Sequence, residues 1–176
     1  VRGEATELLC VDLGRDRLGG SVLAQVYGQL GDVAPDVDAP AEIAALYRAM
    51  AELRASDRIL ACHDRSDGGL VVAALEMAFA ARTGIELDVG AGRDPLAAAF
   101  AEELGLLLQV RAHDVDAALA VFEREGLGDR VRLIGRPVEG KGVRILCGDA
   151  LLYEGRLDAL QARWSETSWR MQRLRD

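Results

Sequence analysis

The densest set of chemically useful side chains lies in one run, His63-Asp64-Arg65-Ser66-Asp67-Gly68-Gly69-Leu70. It joins an apolar stretch of strand length, Arg58 to Cys62, to an apolar stretch of helix length, Gly68 to Arg82, and so reads as a strand-to-helix turn. Gly68 and Gly69 fall in the expected first helical turn, where glycine costs about 1 kcal/mol relative to alanine, so propensity does not explain them. Unobstructed amides at a helix start form an anion site, and phosphate is its usual occupant. Asp64 and Asp67 would repel a naked phosphate, but a carboxylate beside phosphate oxygens is the ordinary way to hold Mg²⁺. The run therefore points to a magnesium-nucleotide site.

Plainer roles compete at each position. Asp67, directly before the helix, is expected as its N-cap in preference to a metal ligand. Ser66 serves equally as a second cap or turn residue, and paired glycines also mark a tight helix contact. His63, beside a core strand, is expected as a hydrogen-bonded structural histidine. The run is not a P-loop, because it lacks the lysine. Leu18-Gly19-Gly20-Ser21, ahead of a helical run from Val22 to Leu30, repeats the same logic more weakly. Glu102-Glu103 would add carboxylates to the pocket edge or form a solvated pair at a helix end, and His113 is expected on the surface. Cys62 is no nucleophile for its neighbour His63, since adjacent strand residues point to opposite faces.

The elements that must position these residues follow from periodicity. Ala41 to Ala55 is an amphipathic helix opened by Pro40, with Ile43, Leu46, Tyr47, Met50 and Leu53 as its expected buried face. Strands are expected at 8–11, 58–62, 85–89, 106–110, 131–135, 143–147 and 151–154, the last two flanking a hairpin at Gly148-Asp149-Ala150. Helices are expected from Asp94-Pro95 through Glu103, after Asp114 as a cap, and over the last twenty residues. Strands alternating with helices, plus one hairpin, imply an α+β fold: a three-layer α/β/α arrangement around a mixed sheet. The opening strand and the last helix, with Leu157, Leu160, Trp164, Met171 and Leu174, lack evident partners, as if a larger protein covered them.

Bulk composition narrows the partners. With 176 residues, half of them apolar, the chain can bury one core. A net charge of −8, from 29 acidic and 21 basic residues, opposes nucleic-acid binding. No apolar run approaches the ~20 residues a membrane span needs, and the start does not read as a signal peptide. Cys10, Cys62 and Cys147 are odd in number, dispersed and flanked by apolar residues, so they read as reduced core thiols of a cytoplasmic protein, without zinc-ligand spacing.

Several separated segments carry a family resemblance: Val11-Asp12-Leu13-Gly14, Leu18-Gly19-Gly20-Ser21, Ala24-Gln25-Val26-Tyr27, His63 to Leu70, Glu76-Met77-Ala78-Phe79-Ala80, Glu102-Glu103-Leu104-Gly105 and Ser165 to Asp176. In this order they resemble the large, single-chain bacterial phosphoribosylformylglycinamidine synthases, over the C-terminal domain of the second aminoimidazole-ribonucleotide-synthetase-like half. The resemblance implies a synthetase-type domain over residues 1–155 and a terminal helix over 156–176 leading toward an absent glutaminase domain. It implies an ATP-dependent ligase of de novo purine biosynthesis, which turns formylglycinamide ribonucleotide and glutamine into the amidine. It also implies Asp64 as a Mg²⁺ ligand, Ser66, Gly68 and Gly69 against the phosphates of ATP or ADP, and the remaining domains of the same polypeptide as partners. An isolated piece would be inactive. Two alternatives stay open: a silent scaffold domain of the same enzyme, and another ATP-using member of the synthetase superfamily.

Overall fold

Leu8 and Cys10 fall in one hydrophobic core while Leu9 and Val11 fall in another, because successive side chains of a strand point to opposite faces. A strand buried on both sides needs cover on both sides. In the computed structural model, which describes residues 3–175, that strand is β1 (Thr6–Asp12), the third of seven in one sheet. The others are β2 (Ala61–Asp64), β3 (Gly84–Asp88), β4 (Gly105–Arg111), β5 (Val131–Val138), β6 (Gly142–Cys147) and β7 (Ala150–Arg156). Their order is β2-β4-β1-β5-β3-β6-β7, and every neighbouring pair is antiparallel except β3 with β6.

The helices are α1 (Val22–Val26), α2 (Pro40–Ala55), α3 (Gly69–Ala81), α4 (Pro95–Phe100), α5 (Val115–Arg124) and α6 (Leu157–Arg173). Residues of α3, α4 and α6 share a core with Leu8, Cys10 and Leu107, whereas α2 and α5 share the other with Leu9, Val11 and Leu108. The fold is thus α+β in three layers with a mixed sheet, as the alternation of elements implies.

Several local expectations change. Of the three cysteines expected in the core only Cys10 is fully buried, and Cys62 is exposed because β2 is an edge strand. β2 begins at Ala61, not Arg58, so His63 and Asp64 belong to an edge strand rather than to the turn after it. α1 stops at Val26 instead of Leu30, where Gly28 turns the chain at φ +66°. α4 ends at Phe100, and Ala101 is extended, so Glu102 and Glu103 stand off the helix. Asp114 makes no side-chain cap; it pairs with Arg58 and Arg111 instead. On α2 the fully buried line is Ala45, Ala49 and Leu53, four apart, and Tyr47 is 73% exposed. Small alanines let that helix approach the sheet closely, and the larger residues flank the contact.

The last helix does have a partner. Leu157 is buried, Leu160 packs against the same core, and Trp164 lies on α3, with its ring 5.5 Å from Phe79 and Nε1 donating to Glu76 at 2.9 Å. Beyond that point Trp169, Met171 and Leu174 are exposed.

Candidate nucleotide site

β2 pairs with β4 along its whole length, setting Asp64 opposite Leu106 and His63 opposite Leu107. The alternation sends Cys62 and Asp64 to the α2 side, where they line a cavity of about 510 Å³ with Leu13, Tyr47, Arg54 and Leu106. The Asp64 carboxylate is 76% exposed there. His63 faces the opposite side. Its Nδ1 lies 2.7 Å from the Asp64 carbonyl and Nε2 is 3.2 Å from Glu76, the carboxylate that also holds Trp164. His63 thus ties β2 to α3 and α6, the structural role expected of it.

The turn after β2 departs from the expected cap. Asp67 is exposed and caps nothing; the N-cap of α3 is Gly68, in left-handed conformation. Gly68 and Gly69 have φ of +83° and +71°, a region that penalises any side chain. A Cβ on Gly69 would sit about 2.6 Å from the Phe100 carbonyl carbon. Both glycines are therefore required by backbone conformation and close packing. Their amides are not bare: Gly69 donates to the Ser66 carbonyl at 2.9 Å and Gly68 to Glu102 Oε1 at 2.8 Å.

Glu102 links the two glycine-rich turns. Its Oε1 also accepts from the Val22 amide at 2.8 Å, so one carboxylate holds the starts of α1 and α3 together. In the first turn Gly19 and Gly20 donate to the Val33 and Leu30 carbonyls, and Ser21 caps α1 by accepting from Ala24. A cavity of about 500 Å³ opens beside it, against Leu18, Leu23, Tyr27 and Leu96. Glu103, one of a pair that the sequence left as pocket-edge or solvated carboxylates, is buried. It accepts from the Arg15 and Arg17 amides and from Arg17 Nε at 2.7 Å. Burial by itself would raise its carboxyl, but the bonds from Arg17 and these amides outweigh that and hold it below the usual carboxylate range. Gly14 is bare because any side chain there would overlap Glu103.

The structure thus clusters Ser66, Gly68, Gly69 and Glu102 at one turn, with Asp64 on the adjoining strand end. No signal in periodicity singled out Glu102 as an amide acceptor for both turns; the only cue was an acidic pair next to an interior strand. Among the described residues no group of three or more His, Cys, Asp or Glu side chains could hold a metal ion. Asp64 could hold Mg²⁺ only as one hard oxygen beside phosphate oxygens and water, a coordination this ion commonly adopts. Among the described residues no helix is long and apolar enough to cross a membrane.

Comparison with known proteins finds the same fold elsewhere. Thermotoga maritima PurL complexed with FGAR superposes with a TM-score of 0.74 at 15% identity, over 89% of this chain and 28% of that one. PurL of the same organism complexed with ATP gives 0.69 at 14% identity, over 90% and 26%. Escherichia coli HypE, a hydrogenase maturation protein, gives 0.55 at 23% identity, over 87% and 49%. The chain spans about a quarter of the PurL chains and half of the HypE chain. Residues 8–148 match the family described as AIR synthase related protein, C-terminal domain, and the chain belongs to that family.

Proposed function

We propose that the chain is a domain of a phosphoribosylformylglycinamidine synthase of the large, single-chain type. In this reading it serves an ATP-dependent ligase of cytoplasmic purine biosynthesis that converts formylglycinamide ribonucleotide and glutamine to the amidine. Its own contribution is a Mg²⁺-nucleotide site: Asp64 holds the ion, and Ser66, Gly68 and Gly69 approach the phosphates of ATP or ADP. Residues 1–155 form the synthetase-type unit, and 156–176 lead toward a glutaminase domain. The other domains of the polypeptide complete the pocket.

The observation that carries this reading is the exposed Asp64 carboxylate, which lines a 510 Å³ cavity and stands two residues before Ser66 in the chain. Bound there, Mg²⁺ would neutralise phosphate charge. Similarity to PurL chains solved with ATP and with ADP supports a nucleotide as the ligand.

One observation favours a silent scaffold instead. The amides of Gly68 and Gly69 already have protein acceptors, so a phosphate at this turn must either displace Glu102 or bind outside it. Calorimetric titration of the intact polypeptide with ADP, in Mg²⁺ and then in EDTA, separates the readings. The site reading expects binding in Mg²⁺ that EDTA abolishes. Absence of any heat in either condition supports the scaffold.

A further inference from the structure

Arg65, the first residue after β2, sends its side chain across the sheet instead of into solvent. Its amide donates to the Gly105 carbonyl at 3.0 Å, and Gly105 pairs with Asp12, so Arg65, Gly105 and Asp12 form one row over β2, β4 and β1. Neighbouring strands lie about 4.8 Å apart, which puts the outer two residues of that row about 10 Å from each other, within reach of an arginine. The middle residue leaves the way open. Gly105 has no side chain, and a Cβ there would touch Arg65 Cδ at 3.5 Å besides overlapping the Val11 carbonyl oxygen. Arg65 Nη1 thus reaches Asp12 Oδ1 at 2.7 Å, with the Arg65 side chain 0% exposed.

Asp12 is a fixed anchor. Its Oδ1 also accepts from the Gly14 amide, and its Oδ2 pairs with Arg93 Nη2 at 3.0 Å. Burial alone would raise its carboxyl, but Arg65, the Gly14 amide and Arg93 outweigh that and hold it below the usual carboxylate range. Midway along, the same guanidinium donates Nε to the Ala101 carbonyl at 2.8 Å. The next residue, Glu102, accepts from the Gly68 amide at 2.8 Å. Two consecutive residues after α4 therefore grip the turn at both ends, Arg65 and Gly68, with Ser66 and Asp67 between them. Arg65 Nη2 is buried without a hydrogen-bond partner, and a buried ion pair so incompletely bonded adds little net stability. What it supplies is location.

We infer that Arg65, anchored by Asp12, is a positioning residue of the candidate nucleotide site. It fixes the turn carrying Ser66, Gly68 and Gly69 relative to Asp64 and does not itself touch the nucleotide. An apolar side chain of similar length can fill its path but cannot hold the Ala101 carbonyl. The inference rests on the nucleotide reading for its purpose, though not for its geometry.

Arg65→Met in the full chain tests it by amide hydrogen exchange without nucleotide. Leu9, in the interior strand β1, reports global opening. The amides of Gly68 and Gly69 should exchange faster than in the native chain by about tenfold or more beyond any change at Leu9. Asp12→Asn, which keeps the shape and removes the charge, should give the same selective loss in smaller measure, and it decides if Arg65→Met does not fold. In the intact polypeptide, Arg65→Met should weaken Mg²⁺-dependent ADP binding about tenfold. Equal changes at Leu9, Gly68 and Gly69, or unchanged ADP affinity, would overturn the proposal. Failure of the native polypeptide to bind ADP would instead sink the nucleotide reading, and the exchange comparison would then judge the bracing of the turn by itself.

Discussion

Replacing Gly69 with alanine tests whether the glycine pair is demanded by the fold, and Gly92→Ala supplies the control. Both glycines have left-handed φ, +71° and +77°, so both substitutions incur similar backbone strain, about 1–2 kcal/mol. They differ in space. Nothing lies within 4 Å of a Cβ on Gly92, whereas one on Gly69 meets the Phe100 carbonyl carbon at 2.6 Å and the Ala101 oxygen at 2.9 Å. These are backbone atoms, which cannot swing aside, so overpacking adds about 1–3 kcal/mol. The totals are about 1–2 kcal/mol at Gly92 and about 2–5 kcal/mol at Gly69. For a domain of this size 1 kcal/mol moves the midpoint by about 2–4 °C, which gives falls of about 2–8 °C and about 4–20 °C. Parallel thermal melts followed by circular dichroism measure both. Equal falls would show that close packing against α4 is not why Gly69 is glycine.

Glu103→Gln keeps an acceptor but removes the depressed carboxylate; the stability this group contributes is full above the ordinary carboxylate pKa of about 4.3 and lost as pH falls through its folded value. The variant should therefore lose less stability than the native chain between neutral and acid pH, in urea melts at matched salt. Trp164→Phe keeps the ring against Phe79 but loses the bond to Glu76, at about 0.5–1.5 kcal/mol. Trp169→Phe, equally exposed but without that bond, should stay within about 0.5 kcal/mol of native in the same denaturation series. Glu102→Ala frees the amides of Val22 and Gly68, so inorganic phosphate should bind more tightly to it than to the native chain in calorimetry.

The layers of the fold were legible because their signals are local. The continuous apolar run from Leu8 through Val11 already read as a buried strand, and Gly148-Asp149-Ala150 already read as a hairpin. What sequence did not reveal is where long-range polar contacts override local preference. Asp67 has the residue type of a cap, yet the left-handed Gly68 takes that position, because the chain must turn sharply off an edge strand. The helix from Pro95 would run on by propensity, but Arg65 holds the Ala101 carbonyl and Glu103 is drawn into the Arg15–Arg17 loop. Glu102 and Glu103 look identical as an exposed pair. One bridges two helix starts and the other is buried under Arg17, a distinction that depends on partners 34 to 88 residues away.

The central claim, that Asp64 holds a nucleotide-bound Mg²⁺, is tested most directly by ADP affinity in Mg²⁺ for the intact polypeptide carrying Asp64→Asn or Asp67→Asn. Asparagine preserves shape and one acceptor oxygen while removing the charge a hard divalent ion requires. Asp67 is exposed and caps nothing, so its substitution should leave folding and affinity unchanged. The expected result is a tenfold or greater loss of Mg²⁺-dependent affinity, about 1.4 kcal/mol or more, for Asp64→Asn alone. Unchanged affinity in Asp64→Asn would contradict the claim and leave this turn a structural junction.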